Sequence, residues 1–314
     1  MKLKGPLLLL TTAFLWGMGF VAQTSAAQAV EPFTFNAARN FAGAAFLALL
    51  VAWRMRFGRD TPPSSDASGY STRTLVIASI ACGTLLFAAG FFQQWGITAY
   101  PPEAAASSRS GFLTTTYVVM VAFIAFFLGK RPSPIVIFSI VLTVVGMYLL
   151  CVPDGFGSIY LGDWLVLICA VIYSFHIILI DRYTHIDAVR LSTLQLLVAA
   201  ILSTIFAFIF ENPSLAPIIT ALIPILYTGI VSNGIAFTLQ IVGQKTTPPA
   251  TASIIMTLEG VFAALGGWII LSERLSPIEI LGCALVFIAA IISQIPNFTR
   301  NELTGTASAH TQSA

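Results

Sequence analysis

Apolar residues in this chain do not alternate with polar ones, nor do they mark one stripe of an amphipathic helix. They come in unbroken runs of about twenty, cut by short polar or proline-bearing breaks. Such runs fall at 5–24, 34–53, 74–95, 103–128, 133–152, 162–181, 190–210, 217–243, 249–271 and 277–296. About 20 apolar residues in a helix cross about 30 Å of hydrocarbon. A helix satisfies its own backbone hydrogen bonds and so can enter lipid alone. A spanning β-barrel would instead need segments of about 10 residues alternating polar and apolar, which are absent. Pro32, Pro101-Pro102, Pro132, Pro134, Pro153, Pro213, Pro248-Pro249 and Pro277 stand between runs or at their edges, where a missing N–H costs least. The pattern predicts an all-α integral membrane protein of ten transmembrane helices. The one long polar stretch, Arg54 to Arg73, reads as a mobile loop.

Composition agrees with lipid as the surrounding solvent. Hydrophobic residues make up 57% of the 314 and charged residues only 9%, whereas a soluble domain carries about 25% charge. A net charge of +2 gives no electrostatic footprint for nucleic acid. Cys82, Cys151, Cys169 and Cys283 fall in or at the ends of the runs, without CxxC or Cys/His spacing, so neither a metal site nor a cofactor is expected. Lys2 and Lys4 before an apolar run, with Ser25-Ala26-Ala27 after it, imitate a secretory signal. The first run has a counterpart later in the chain, however, and is read as a retained span.

Orientation follows from Lys and Arg, which favour cytoplasmic loops. A cytoplasmic N-terminus gathers Lys2, Lys4, Arg54, Arg56, Arg59, Arg73, Lys130, Arg131, Arg182, Arg190, Lys245 and Arg300 on the inner side. Among the connecting segments, that leaves Arg274 for the outer side. Both termini are then cytoplasmic.

The ten runs divide into two similar halves. Phe127-Leu128-Gly129-Lys130-Arg131-Pro132-Ser133-Pro134 resembles Ile270-Leu271-Ser272-Glu273-Arg274-Leu275-Ser276-Pro277. Gln93 to Pro102 resembles Gln240 to Pro249, sharing Gln, Gly and Pro-Pro, and Ala13-Phe14-Leu15-Trp16-Gly17 resembles Ala170-Val171-Ile172-Tyr173-Ser174. The matches keep one order along the chain. They divide it into a first repeat at 5–152, a second at 153–296 and a disordered cytoplasmic tail at 297–314. Five spans per repeat is an odd number, so the second repeat enters from the opposite side and the two form an inverted pair. Secondary carriers use that arrangement, with a binding site between repeats near mid-depth.

Several of these segments resemble the drug/metabolite transporter superfamily, and in particular its ten-span EamA-type permeases. They are Phe14-Leu15-Trp16-Gly17-Met18-Gly19-Phe20, Ala38-Arg39-Asn40-Phe41, Ala252 to Leu265, and Leu271-Ser272-Glu273-Arg274-Leu275-Ser276, with Ser107 to Phe127 and Gly129-Lys130-Arg131 as first-half counterparts. The likeness covers about residues 5 to 296. It departs from the family at Lys130, where a Glu is common, and at Glu259, where many members have Pro. The resemblance implies a secondary transporter of a bacterial plasma membrane that exports amino acids, related metabolites or drug-like compounds. Its partners are then the lipid bilayer, a small-molecule substrate and protons, with a homodimer compatible.

Charge at bilayer depth costs about 2.5–3.5 kcal/mol on insertion scales, so an intramembrane charge is a functional candidate. Glu259 lies near mid-depth, as a proton carrier, a binder of cationic groups or an ion-pair anchor. Arg39 and Arg109 sit toward the outer ends of their spans. Each is a partner for Glu259, a fork for an anionic substrate, or a side chain snorkelling to the surface. His176, Trp16 and Tyr173 can line a central cavity or simply pack. Gln93 and Gln240 match across the repeats, and Asn233 lies mid-span; each lines a polar cavity or ties helices together. Trp95, Trp164 and Trp268 read as interface anchors, and Pro224 as a bend in the eighth span. No phosphate-binding Gly-rich loop, nucleophile elbow or paired carboxylates suggest an enzyme, so no catalytic residue is expected.

Overall fold

The computed structural model describes residues 4–57, 70–101, 104–129, 133–151, 160–273 and 277–292. Most of the stretch from Arg54 to Arg73, the Lys130-Arg131 pair, Arg274 and the tail at 297–314 lie outside them. Among the described residues every regular element is helical. In chain order these are α1 (Lys4–Ala26), α2 (Pro32–Arg56), α3 (Thr72–Thr98), α4 (Ala106–Thr114), α5 (Tyr117–Phe127), α6 (Pro134–Cys151), α7 (Leu161–Arg182), α8 (Ala188–Phe210), α9 (Leu215–Thr220) and α10 (Leu222–Leu226). A π-helical segment (Tyr227–Ile235) follows, then α11 (Ala236–Gln244), α12 (Pro249–Met256), α13 (Leu258–Ile270) and α14 (Pro277–Ile292).

Among the described residues, eight helical runs are long and apolar enough to cross a membrane: α1, α2, α3, α4 with α5, α7, α8, α10 through α11, and α12 with α13. The other two expected spans contain the shorter apolar runs Pro134–Gly146 and Ile280–Ile292, and their helices α6 and α14 pack against each other.

The distribution of side chains is the reverse of a soluble protein's. Leu49, Phe127, Phe208, Leu215, Ile223 and Ile269 point outward with most of their surface open. Gln94, Gln195, Gln240, His176, Ser107 and Thr257 are shut away from solvent. An outer surface of aliphatic and phenyl groups is stable only against lipid, while the polar side chains are gathered inside the bundle. Trp95, Trp164 and Trp268 are exposed. They stand in the last turn of α3, the first turn of α7 and the last turn of α13, as an interfacial belt requires.

The two halves of the chain interleave. Helix α1 packs on α13 and α11, α2 on α8, α3 on α7 and α8, and α4 on α13. Glycine makes some of these approaches possible. A Cβ at Gly17 would lie 2.7 Å from Glu259 O and 3.0 Å from Ala263 N, so only glycine lets α1 run this close to α13. That approach brings Trp16 and Glu259 to one space.

Three spans are interrupted. The fourth breaks at Thr115-Thr116 and the ninth at Thr257. At both breaks a threonine hydroxyl donates to a carbonyl three residues back: Thr115 to Phe112 O at 2.7 Å, and Thr257 to Ile254 O at 2.6 Å. The eighth breaks at Ala221, three residues before Pro224. Proline offers no N–H to the preceding turn and its ring crowds that turn. The π-helical segment begins just beyond, as such segments do at functional positions. The breaks at Thr115 and Thr257 fall in matching stretches of the two halves. Irregular backbone at depth is tolerated where protein or a cavity surrounds it.

Candidate functional site

Spacing along each helix aims the polar side chains at one place. On α1, Trp16, Phe20 and Gln23 recur at intervals of four and three, one face of a helix. Tyr173, His176 and Ile177 on α7 do the same, and so do Asn233, Phe237 and Gln240 across the π segment and α11. Together with Arg39 of α2, Gln93 of α3, Thr114, Tyr117, Ser232 and Glu259, these side chains line one small cavity. Its volume is about 40 Å³, room for about three waters. The bundle is therefore nearly closed around this space.

Part of the wall is tied. Arg39 Nη1 donates to Gln23 Oε1 at 2.8 Å, and its guanidinium stacks 5.3 Å from the Phe35 ring centre. Trp16 Nε1 donates to Ser232 O at 2.9 Å, within the π segment. Asn233 Nδ2 donates to Asn40 Oδ1 at 2.6 Å, and Gln93 Nε2 to Thr114 Oγ1 at 3.3 Å. His176 Nε2 and Gln195 Oε1 share a 3.0 Å bond.

The rest of the wall is not satisfied by protein. Arg39 Nε, Glu259 Oε1, Tyr117 Oη, His176 Nδ1 and both polar atoms of Gln240 are buried without a hydrogen-bond partner. Arg39 and Glu259 are 4% and 3% exposed. The Glu259 carboxyl lies beside the Tyr117 hydroxyl, and among the described residues no ion pair joins Glu259 to Arg39. An unmatched buried polar group costs about 1–3 kcal/mol. Several of them around one enclosed space mark a place built to receive polar atoms of something else.

Arg109 is placed elsewhere. Its Nε and Nη2 grip Asp163 Oδ1 and Oδ2 at 2.7 and 2.9 Å, and its guanidinium lies 4.9 Å from the Tyr160 ring centre. Tyr100 Oη adds a 2.8 Å bond to Asp163. The arginine joins α4 to α7 and does not reach Glu259. Sequence reasoning did not single out Gln23, Thr114, Tyr117, Ser232 or Phe237. For Gln23, the helical spacing from Trp16 carries that signal.

The family model for EamA-like transporters matches residues 3–152 and again 160–294. The chain belongs to the EamA-like transporter family. This EamA-family protein is 28% identical over 294 residues to an uncharacterized transporter of Archaeoglobus fulgidus, covering 93% of this chain and 86% of that one. It is 23% identical to the uncharacterized transporter YoaV of Bacillus subtilis, covering 94% and 98%. A solved crystal structure shares its fold at a TM-score of 0.73 and 21% identity, covering 94% of this chain and 98% of that one. Eight apolar helices and this membership make it an integral membrane protein of a transporter family.

Proposed function

We propose that this protein is a secondary carrier of small zwitterionic molecules with an apolar body, amino acids and related amphipathic metabolites or drugs among them. The observation that carries the reading is that Arg39 and Glu259, one basic and one acidic side chain, are both buried on the wall of one aromatic-lined cavity without forming an ion pair with each other. A planar guanidinium recognises a carboxylate. A carboxylate beside Tyr117 recognises an ammonium or takes up a proton. Trp16, Phe20, Tyr173 and Phe237 offer rings to whatever lies between, and aromatic faces also attract cations.

In this reading α6 and α14 complete ten spans, arranged as inverted repeats at 5–152 and 153–296. Both termini face the cytoplasm of a bacterial cell. Interrupted spans around the cavity support a site at mid-depth between the repeats. Rocking the halves exposes the cavity to each side in turn, export is the working direction, and Glu259 couples it to protons.

The test is binding to the purified protein of four matched ligands: an aromatic amino acid, its amine, its carboxylic acid and its neutral ester amide. The zwitterion binds tightest. Equal affinity for the uncharged analogue would remove the charge-pole reading.

A further inference from the structure

Outside the cavity, three carboxylates tie the second half of the chain to the first. Glu211, just after α8, accepts from the Phe33 and Thr34 backbone N–H groups and from Thr34 Oγ1, each at 2.7 Å. Glu273, just after α13, accepts from the Ser107 and Ser108 N–H groups at 3.1 and 3.2 Å and from the Ser108 hydroxyl. Asp163, in the first turn of α7, holds Arg109 and Tyr100. Glu211 and Glu273 belong to the second half of the chain and take these bonds from the first; Asp163 does the same and also accepts from the Tyr160 N–H of its own half at 2.8 Å.

Helix N-termini leave N–H groups unpaired, and a local Ser, Thr, Asp or Asn usually caps them. Neither α2 nor α4 has such a cap: Glu31 and Ala105 precede them without a side-chain bond. Their caps come from the other half. The backbone at Glu273 is shaped for this. Ser272 takes a left-handed φ of 58°, the Glu273 N–H turns back to Gly267 O at 3.0 Å, and the side chain reaches α4.

All three ties lie at one end of the bundle. The end of α1 leads within a few residues into α2, as α3 leads into α4. Gln94 near the end of α3 donates to Gln23 O near the end of α1 at 3.3 Å. Tyr100, just past α3, meets Asp163 at the start of α7. At the opposite end the halves meet through Arg54 and Asp187 at 3.3 Å, with side chains 24% and 29% exposed. The latched helices α2 and α4 are also those that carry Arg39 and Thr114 to the cavity, less than two turns further along.

We propose that Asp163, Glu211 and Glu273 form a latch supplied by one half to the helix starts of the other, and that the cavity opens toward this end by releasing it. The latch rests on the carrier reading, which requires opening to both sides in turn. Its test reads accessibility and not flux, so the two ideas fail separately.

The experiment uses the full chain, with the four cysteines replaced by Ala and Ser232→Cys as a reporter in the cavity wall. A membrane-impermeant methanethiosulfonate is added from either side of oriented vesicles. Glu211→Ala and Glu273→Ala each remove three bonds and speed labelling from the latch end by at least about tenfold, the factor one lost bond to a charged acceptor represents. Together they speed it further, with no rise from the other side. Arg54→Gln leaves labelling from the latch end unchanged. Where an Ala variant does not assemble, Glu211→Gln and Glu273→Gln keep one acceptor and give a smaller rise in the same direction. Unchanged labelling in a folded double variant would overturn the latch, and so would equal gains from both sides, which mean general loosening. Loss of transport without a change in labelling would also count against it.

Discussion

Replacing Arg39 by Met separates a ligand-binding arginine from a structural one. The guanidinium is 4% exposed, makes one bond to Gln23 and stacks on Phe35, and its Nε has no partner. Removing it leaves Gln23 Oε1 unsatisfied, costing about 1–3 kcal/mol, and forfeits a cation–π contact of about 1–2 kcal/mol. Against this, a charge without a neutralising partner no longer has to be held out of water, a relief of several kcal/mol. Met also fills most of the same volume. The terms offset, so the unliganded Arg39→Met protein should unfold within about 1 kcal/mol of wild type. Binding should behave differently. A bond from a buried guanidinium to a carboxylate contributes about 1.5–3 kcal/mol, which is about 10- to 100-fold in affinity. That loss should appear for the amino acid and be absent for its amine, which has no carboxylate to lose. The assay is thermal unfolding in detergent beside equilibrium binding of both ligands. An Arg39→Met protein that is several kcal/mol less stable yet binds the amino acid normally would refute the reasoning and leave Arg39 a structural tie.

Glu259→Gln keeps the shape of the side chain and removes its charge, so exchange of substrate should persist while accumulation driven by a proton gradient is lost; uphill transport with full pH dependence in the variant would count against proton coupling. Asp163→Asn breaks the Arg109 fork, and breaking a buried pair costs about 3–5 kcal/mol; because one partner here is 19% exposed, a loss of about 2 kcal/mol is expected, read as a lowered unfolding midpoint with substrate affinity kept. Gly17→Val drives a side chain into the backbone of α13 and should cost about 3 kcal/mol, so little folded protein should be recovered from membranes; normal yield would show that α1 and α13 are not in tight contact.

How much of this was legible in the sequence depends on what each feature needs. Long apolar runs and prolines at their edges are local, and they placed the helices to within a few residues. Trp16, Tyr173, His176, Gln93, Gln240, Asn233, Arg39 and Glu259 stood out because polar or amphipathic groups at bilayer depth are rare, and the structure gathers them around one cavity. Arg109 stood out for the same reason, but its partner Asp163 lies 54 residues away in another helix, and only the folded bundle joins them. Gln23 went unnoticed although its spacing from Trp16 sets it on the same helix face, and Tyr117 because it lies just past the break that follows Thr114. The breaks at Thr115-Thr116 and Thr257 were hidden because hydropathy averaged over a span is blind to one interrupted turn. Glu211 and Glu273 look like ordinary loop carboxylates; their role as caps for distant helices has no local signature.

The central claim is that the Arg39–Glu259 cavity carries a substrate from one side of a membrane to the other. Counterflow tests it most directly: proteoliposomes are loaded with an unlabelled amino-acid mixture and given traces of each labelled amino acid outside. Saturable, trans-stimulated uptake of at least one zwitterion, weakened by Arg39→Met, is the expected result. Flux that rises linearly with concentration, or saturable flux that is indifferent to Arg39, would contradict it.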